Sequence, residues 1–164
     1  MTGELPARLA TVVVSDLQGS TALGERLDAE ALRAVMTRYV DAMRAVLERH
    51  GGRVVKIIGD AVVTVFEHDE AGAQAAAAAV AAVVAAGDAL DRLNDSLDVV
   101  WGVRLVNRTA LATGSLTGEG DVLMGEVMRR ATALEGAAPG GAALLDVETA
   151  ALVVAAVSLS LIHI

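Results

Sequence analysis

The chain has 164 residues, which is enough for one domain with a sizeable core. Hydrophobic residues make up 54% of it but aromatic residues only 2%, so the core must consist mainly of Ala, Val and Leu. The formal net charge of −8 disfavours direct nucleic-acid binding, because phosphate contacts need clustered Lys and Arg. The absence of cysteine excludes disulfides and thiolate metal sites and fits a cytoplasmic location.

Neither the N-terminus nor the apolar segment near residue 80 predicts targeting or membrane insertion. The N-terminal MTGELPARLA has no basic region followed by an apolar one, so no signal peptide is expected. Ala71–Ala86 is strongly apolar, but it is rich in alanine, shorter than a bilayer requires, and flanked by Glu70 and Asp88. A buried helix is therefore favoured over a membrane span, and no membrane contact is expected for this segment.

The first half of the chain alternates strand and helix signals. The continuous apolar run Leu9–Ser15 predicts a buried strand, and Gly19-Ser20-Thr21 then opens a helix. Asp28 is a good N-cap for an amphipathic helix that runs to about His50. The runs RVVKII and AVVTVF, divided by Gly59-Asp60, predict a hairpin.

The second half begins with an alanine-rich helix from Asp69 to about Leu93. Further elements are predicted as strand material over Leu97–Thr113, a short strand at Val122–Met124, a helix over Gly125–Ala137, a strand over Ala142–Asp146 and a helical segment over Val147–Ala156. The order β-α-β-β-α-β indicates an α/β sandwich with mixed strands rather than a doubly wound parallel sheet.

The last six residues, LSLIHI, continue no earlier pattern. They resemble the translation of a transposon-end sequencing adapter, although an ordinary terminal strand is the alternative. We therefore predict a domain over residues 8–158 and an artefactual tail over 159–164, with the native chain continuing beyond Ser158. What would follow Ser158 cannot be read from this sequence.

Two carboxylates stand at the ends of predicted strands. Asp16 follows the first strand and Asp60 lies in the hairpin turn. A hairpin beside a central strand would bring them together, where each would repel the other and raise one pKa unless a cation neutralised both. Oxygen ligands beside the free N–H groups of a helix start are suited to Mg²⁺ and phosphate.

Three blocks carry a resemblance to a known family. They are VVVSDLQGSTAL, ERHGGRVVKIIGDAVVTVF and GEVMRRATALEGAAPGGAALL. In order and spacing, over roughly Ala10 to Leu152, the chain resembles the class III adenylate/guanylate cyclase catalytic domain. The resemblance implies an α+β, ferredoxin-like sandwich with a βαββαβ palm. It also implies head-to-tail pairing, as a homodimer or a heterodimer, with active sites at the interface.

The resemblance assigns the first half of the site to residues that are present. Asp16 and Asp60, with the backbone of Leu17, match the positions that hold two Mg²⁺ (or Mn²⁺) ions. The main-chain amides that begin at Leu17 would lie against the triphosphate of ATP, including those of Gly19, Ser20 and Thr21. Lys56 matches the purine-reading position of adenylate cyclases; its alternative role is a solvated charge beside a strand.

The second half of the site departs from the family pattern. Val122 stands where a purine-contacting Asp or Thr is usual, Arg129 replaces the ribose-orienting Asn, and Ala133 replaces the Arg that stabilises the transferred phosphoryl group. The neighbouring Arg130 is out of register, and Ala110 replaces a usual glycine. The family's triphosphate-binding lysine would lie beyond the point where the adapter-like tail begins.

Two functions remain open from the sequence, together with a third possibility, pairing with an intact partner that supplies the missing Asn and Arg. The first is a class III cyclase that converts Mg–ATP to cyclic AMP and pyrophosphate in intracellular signalling, weakened by the two replacements in the catalytic helix. The second is a catalytically silent nucleotide-binding and dimerisation module of a larger signalling or transcriptional regulator. The histidines His50, His68 and His163 lack metal-site spacing, and no Walker-A motif is present.

Overall fold

A computed structural model describes residues 6–68, 73–119, 123 and 125–162, with side chains described as far as residue 157. Its elements, in chain order, are β1 (Arg8–Gln18), α1 (Ser20–Arg26), α2 (Ala29–Arg49), β2 (Arg53–Ile58), β3 (Ala61–Glu67), α3 (Ala73–Trp101), β4 (Val106–Leu116), α4 (Glu126–Ala137), β5 (Ala143–Leu145) and α5 (Val147–Ile162).

The strands form one five-stranded sheet in the order β2-β3-β1-β4-β5. The pairs β2–β3, β3–β1 and β1–β4 are antiparallel, and β4–β5 is parallel. The first four strands have the order and directions of a ferredoxin-like sheet, so the predicted α+β class is confirmed. β1 is paired with β3 as far as Ser15 and with β4 as far as Gln18, so Asp16 has its strand partner in β4 and follows the last residue paired with β3.

Alternation along the strands gives the sheet two apolar faces. On one face, side chains such as Val13 and Leu111 pack with Tyr39 and Met43 of α2 and with Leu97 of α3. The opposite face carries a smaller cluster that includes residues of α4. Val127 and Ala131 of α4 pack there against Val12, Val63 and Leu116. Both faces of the sheet are thus partly covered, and α4 lies on the same face as the even-numbered residues of β1.

The predicted N-cap of α2 is confirmed. The Asp28 carboxylate accepts a hydrogen bond from the Ala31 amide at 2.8 Å, which satisfies one of the free N–H groups of the first turn. The hairpin is also as predicted, since β2 and β3 are joined by the two residues Gly59 and Asp60. Gly59 has φ 61°, the positive value that a two-residue hairpin turn needs at its first central position.

The strand predicted to begin near Leu97 is wrong in its first part. The helix α3 continues to Trp101, and β4 starts at Val106. The β-branched pair Val99-Val100 favours a strand locally, but Leu90, Asn94 and Leu97 recur at helical spacing and are buried. Tertiary packing on this stripe outweighs the local preference.

Asn94 also fixes the turn that follows α3. Its amide donates to the Leu105 carbonyl at 2.9 Å, and its oxygen accepts from the Leu105 N–H at 2.7 Å.

By length and composition α3 is the one helix in the described part of the chain that could cross a membrane. The same test is passed by core helices, and α3 buries an alanine stripe that includes Ala76, Ala79 and Ala82.

Smaller differences concern element ends. β1 extends through Asp16 and Leu17 to Gln18, three residues beyond the predicted strand. Leu123 is buried but not in a strand, while Val122 and Met124 lie outside the described residues. The helix α5 continues through Ile162 instead of ending near Ala156, so residues 159–162 extend a helix. Their proposed origin as an adapter stays a prediction.

Candidate active site

Asp16 and Asp60 come together at one edge of the sheet, where β1 ends and the hairpin between β2 and β3 turns. Ser15 of β1 is paired with Val62 of β3, so the hairpin turn that holds Asp60 lies alongside the last residues of β1. The two carboxyl groups are close enough to share a hydrogen bond when one of them is protonated. The predicted convergence of the two acidic side chains is therefore found in the structure.

The surroundings of Asp16 disfavour its charged form. Burial raises the pKa of Asp16 from 3.8 to about 6, with further contributions from the hydrogen bond and the negative charge of Asp60 and from the charge of Glu135. The Leu17 amide donates to Asp16 Oδ1 at 2.8 Å and opposes the rise in pKa. The site thus concentrates more negative charge than its protein groups neutralise.

One cation enters this site from the neighbouring strand, and sequence reasoning missed it. Arg108 of β4 lies directly opposite Asp16 in the ladder, with its Nη2 3.9 Å from Asp16 Oδ2. Its Nε is 2.7 Å from Oε1 of Glu135, which projects from α4 and is 7% exposed. Only the β1–β4 register brings Arg108 to Asp16, and no local motif in the sequence encodes that register.

The described residues fit a divalent cation at Asp16 and Asp60. Asp60 Oδ2 is buried and has no hydrogen-bond partner among the described residues, so an acceptor is left without a donor. Carboxylate oxygens are the ligands that Mg²⁺ prefers, and it commonly uses one or two of them together with water and substrate phosphates. No group of three or more His, Cys, Asp or Glu side chains that could hold a metal ion occurs in the described part of the chain.

The segment after Asp16 provides free amides beside the carboxylates. Gly19 has φ 75° and begins α1, which leaves the N–H groups of Ser20 and Thr21 outside the helical hydrogen-bond pattern. Leu17 and Gln18, in contrast, are still paired with β4, and the Leu17 amide is occupied by Asp16. In this structure the amides free for a phosphate are therefore those after Gln18, and a phosphate contact of the Leu17 amide stays a prediction.

A small pocket of about 100 Å³ lies against this helix start. Its lining includes Leu17, Gly19, Ser20, Arg26 and Arg104. The predicted phosphate-binding residues Gly19 and Ser20 thus border an open space that is also lined by two arginines. Thr21 is exposed and next to this pocket in sequence.

Polar side chains on the other face of β1 support the strand beneath Asp16. Ser15 Oγ lies 3.4 Å from the Tyr39 hydroxyl and 3.2 Å from Thr109 Oγ1, and it accepts from Asn107 Nδ2 at 3.2 Å. Burial raises the pKa of Tyr39 to about 12, so its hydroxyl stays protonated as a donor. This network fixes the end of β1 against α2 and β4.

Lys56 lies on the edge strand β2, opposite Val63 of β3. Val63 is in turn paired with Val14, and Asp16 is two residues further along β1, so Lys56 and Asp16 share one face of the sheet. The side chain of Lys56 is half-buried. The placement leaves both of its sequence-based roles open.

The two substituted catalytic positions lie on the outward side of α4. Val127, Ala131 and Glu135 are buried against the sheet, whereas Arg129 and Ala133 are exposed. Arg129 forms an ion pair with Glu126 one turn earlier, and its side chain is 75% exposed. Val122, the third substituted position, lies outside the described residues.

Comparison with known proteins agrees with this arrangement. Residues 6–111 match the model of the adenylate and guanylate cyclase catalytic domain, which is more than half of the chain. No match was found among curated proteins.

Several solved structures share the fold. The adenylyl cyclase CyaB from P. aeruginosa has a TM-score of 0.86 and 27% identity, covering 92% of this chain and 82% of its own. The guanylyl cyclase Cya2 has a TM-score of 0.82 and 24% identity, covering 91% and 80%. The guanylate cyclase domain of RhGC from Catenaria anguillulae, solved in complex with GTP, has a TM-score of 0.75 and 22% identity, covering 90% and 84%. The chain belongs to the adenylate and guanylate cyclase catalytic domain family, as a class III nucleotide cyclase domain.

Proposed function

We propose that this domain converts Mg–ATP to cyclic AMP and pyrophosphate, at a low rate, as part of intracellular signalling in the cytoplasm. The observation that carries the proposal is the convergence of Asp16 and Asp60, with a buried Asp60 oxygen that has no hydrogen-bond donor among the described residues. Two close carboxylates repel each other when both are ionised, so they stabilise the fold poorly but form a good cation site.

In the proposed reaction the ribose 3′-oxygen attacks the α-phosphorus, the 3′-hydroxyl proton leaves to solvent, and the bond to the pyrophosphate oxygen breaks. Two Mg²⁺ (or Mn²⁺) ions held by Asp16, Asp60 and the backbone at Leu17 would favour deprotonation of the 3′-hydroxyl and neutralise phosphate charge. The amides of Gly19, Ser20 and Thr21 would orient the triphosphate at the start of α1. Arg108 adds a positive charge beside Asp16.

The preference for ATP rests on Lys56. An ammonium group donates to N1 of adenine, which is an acceptor, whereas N1 of guanine carries a hydrogen. Lys56 is placed on the same face of the sheet as Asp16, but on the edge strand. An edge position is accessible to a nucleotide held between two domains, which agrees with a head-to-tail dimer in which each domain supplies part of each site.

The proposed low rate rests on two exposed positions of α4. Its exposed positions Arg129 and Ala133 would face the site of the partner domain in such a dimer, without the Asn and Arg of the family pattern. Removing one preorganised transition-state donor costs about 10²–10³ in rate. In a symmetric homodimer both sites would carry this defect.

The direct test is to incubate the purified protein with ATP and either Mn²⁺ or Mg²⁺ and to measure cyclic AMP by mass spectrometry. We expect slow formation that is abolished by Asp16→Asn and retained by Asp41→Asn, a matched change at an exposed residue of α2. A complete lack of product with both ions, in protein that binds ATP, would refute turnover.

The outward position of Arg129 and its pairing with Glu126 favour a second candidate, a silent module that binds Mg–ATP and pairs without turnover. Calorimetry with a non-cyclisable ATP analogue would then show binding without product, and absence of heat with any nucleotide would refute it. A partner domain that supplies the missing Asn and Arg in a heterodimer would instead restore activity on mixing.

A further inference from the structure

Glu135 occupies an unusual position for a carboxylate. It lies on the buried side of α4, between that helix and the sheet, and it is 7% exposed. A buried carboxylate is costly unless a cation compensates it. Among the described residues, the cation paired with Glu135 is Arg108, and the same Arg108 faces Asp16.

The two distances from Arg108 are unequal. Its Nε is 2.7 Å from Glu135 Oε1, but its Nη2 is 3.9 Å from Asp16 Oδ2. Neither Arg108 Nε nor Glu135 Oε1 makes an aligned hydrogen bond within the described residues, so the pair is held by charge rather than by geometry. One guanidinium thus lies between two carboxylates and is drawn further towards Glu135.

This position matters because Arg108 and a divalent cation would compete for Asp16. Strand pairing alone places Arg108 opposite Asp16, where a direct ion pair would otherwise be expected. A guanidinium that closed on Asp16 with two parallel hydrogen bonds would occupy both carboxylate oxygens. Glu135, a second carboxylate held on a packed helix, contacts the same guanidinium and would oppose that closure.

We propose that Glu135 is a positioning residue that holds the Arg108 guanidinium back from Asp16, so that the Asp16 oxygens remain available to a divalent cation. The proposal rests on the proposed metal site at Asp16 and Asp60. It differs from a purely structural role, in which Glu135 and Arg108 fasten α4 to the sheet without affecting the cation. It also differs from a simple charge effect, in which Glu135 attracts the cation at a distance.

A double-mutant cycle separates these roles. Mn²⁺ binding to the whole protein is measured by electron paramagnetic resonance for wild type, Glu135→Gln, Arg108→Gln and the double variant, with Glu126→Gln on the exposed side of α4 as control. We expect Glu135→Gln to weaken Mn²⁺ binding roughly tenfold and Arg108→Gln to strengthen it. In the double variant the effect of Glu135→Gln should vanish, because the competing guanidinium is gone.

Equal weakening by Glu135→Gln in both backgrounds would overturn the proposal in favour of a simple charge effect. Unchanged Mn²⁺ affinity with a lower melting temperature would overturn it in favour of a structural role. No Mn²⁺ binding to folded wild-type protein would refute the metal site itself, and with it the proposed function.

A second readout does not depend on metal. Side-chain ¹⁵N relaxation of the Arg108 Nε–H group, assigned by its loss in Arg108→Lys, reports whether the guanidinium is immobilised. We expect its order to change in Glu135→Gln, whereas Glu126→Gln should leave it unchanged. An identical signal in wild type and Glu135→Gln would show that Glu135 does not position Arg108.

Discussion

Two regions of the molecule differ in how firmly the fold holds them. One is the carboxylate edge, formed by Asp16 and Asp60, and the other is the outer face of α4, which carries Arg129 and Ala133. Asp16 lies in a strand paired on both sides, and Asp60 lies in a two-residue turn. The two α4 positions point away from the sheet and are exposed. A residue at the edge is constrained by packing and by buried charges, while on the outer face Ala133 is exposed and Arg129 makes an exposed ion pair with Glu126.

This difference explains which half of the family pattern this chain retains. Replacing Asp16 would alter a buried cluster that includes Arg108 and Glu135. Replacing an exposed helix residue by alanine or arginine costs little stability, because both are good helix formers. The proposed cation site therefore rests on the retained carboxylates, and the proposed low rate rests on the substituted outer face.

The largest expected effect comes from removing the carboxylate edge. In a variant with the outer face restored as described next, Asp16→Asn should lower the rate of cyclic AMP formation about 10⁴-fold, since losing metal assistance costs several kcal/mol. Initial rates with saturating Mn²⁺–ATP measure this, with Asp41→Asn in the same background as control. A loss below tenfold would mean that the edge does not hold the catalytic cation.

Restoring the outer face should have the next largest effect. Arg129→Asn combined with Ala133→Arg should raise the rate by about 10²–10³, the value of a preorganised transition-state donor. The matched control is Arg129→Asn with Thr132→Arg, which places the same guanidinium one residue out of register on the exposed side. Equal gains in both variants would show that added charge matters and that its geometry does not.

The carboxylate edge could be predicted from sequence because its parts are local. A strand followed by Asp16, and a hairpin whose turn contains Asp60, need only one assumption, that the hairpin lies beside the strand. The outer face of α4 was recognised by comparison with the family pattern, since no physical signal marks Arg129 as a substitution. The purine position Val122 lies outside the described residues, so its role stays a prediction.

Arg108 and Glu135 could not have been predicted in the same way. Their meeting depends on the register of β1 with β4 and on the rotation of α4 about its axis, which are set by long-range packing. The end of α3 was misjudged for a related reason. Val99 and Val100 favour a strand locally, but burial of Leu97 on the helical stripe decides the outcome.

A smaller effect is expected at the nucleotide base. Lys56→Glu should shift the ratio of ATP to GTP turnover towards GTP by about 10–100-fold, the worth of one hydrogen bond to a charged group. The control is Arg33→Glu, an equal charge change at an exposed residue of α2. An unchanged ratio, measured as kcat/KM for both nucleotides in the restored variant, would make Lys56 a solvated charge that does not read the base.

The smallest expected effect concerns how the stability of the metal-free protein depends on pH. Burial raises the pKa of Asp16 from 3.8 to about 6 in the folded state. Between these two pH values the folded state therefore binds more protons than the unfolded state. The free energy of unfolding should therefore fall as pH rises from 4 to 6, and ionised Asp16 should destabilise the metal-free protein at pH 7.

Asp16→Asn removes this cost, and we expect it to stabilise the metal-free protein by about 1–2 kcal/mol at pH 7 and not at pH 4, a value discounted from the full shift for partial exposure. Urea denaturation at both pH values measures it, with Asp41→Asn as control. Saturating Mn²⁺ should reverse the order of wild type and variant, because the cation stabilises only a folded state that binds it. If Asp16→Asn differs from wild type by the same amount at both pH values, burial and the charge of Asp60 do not disfavour ionised Asp16, and the edge is as weakly constrained as the outer face of α4.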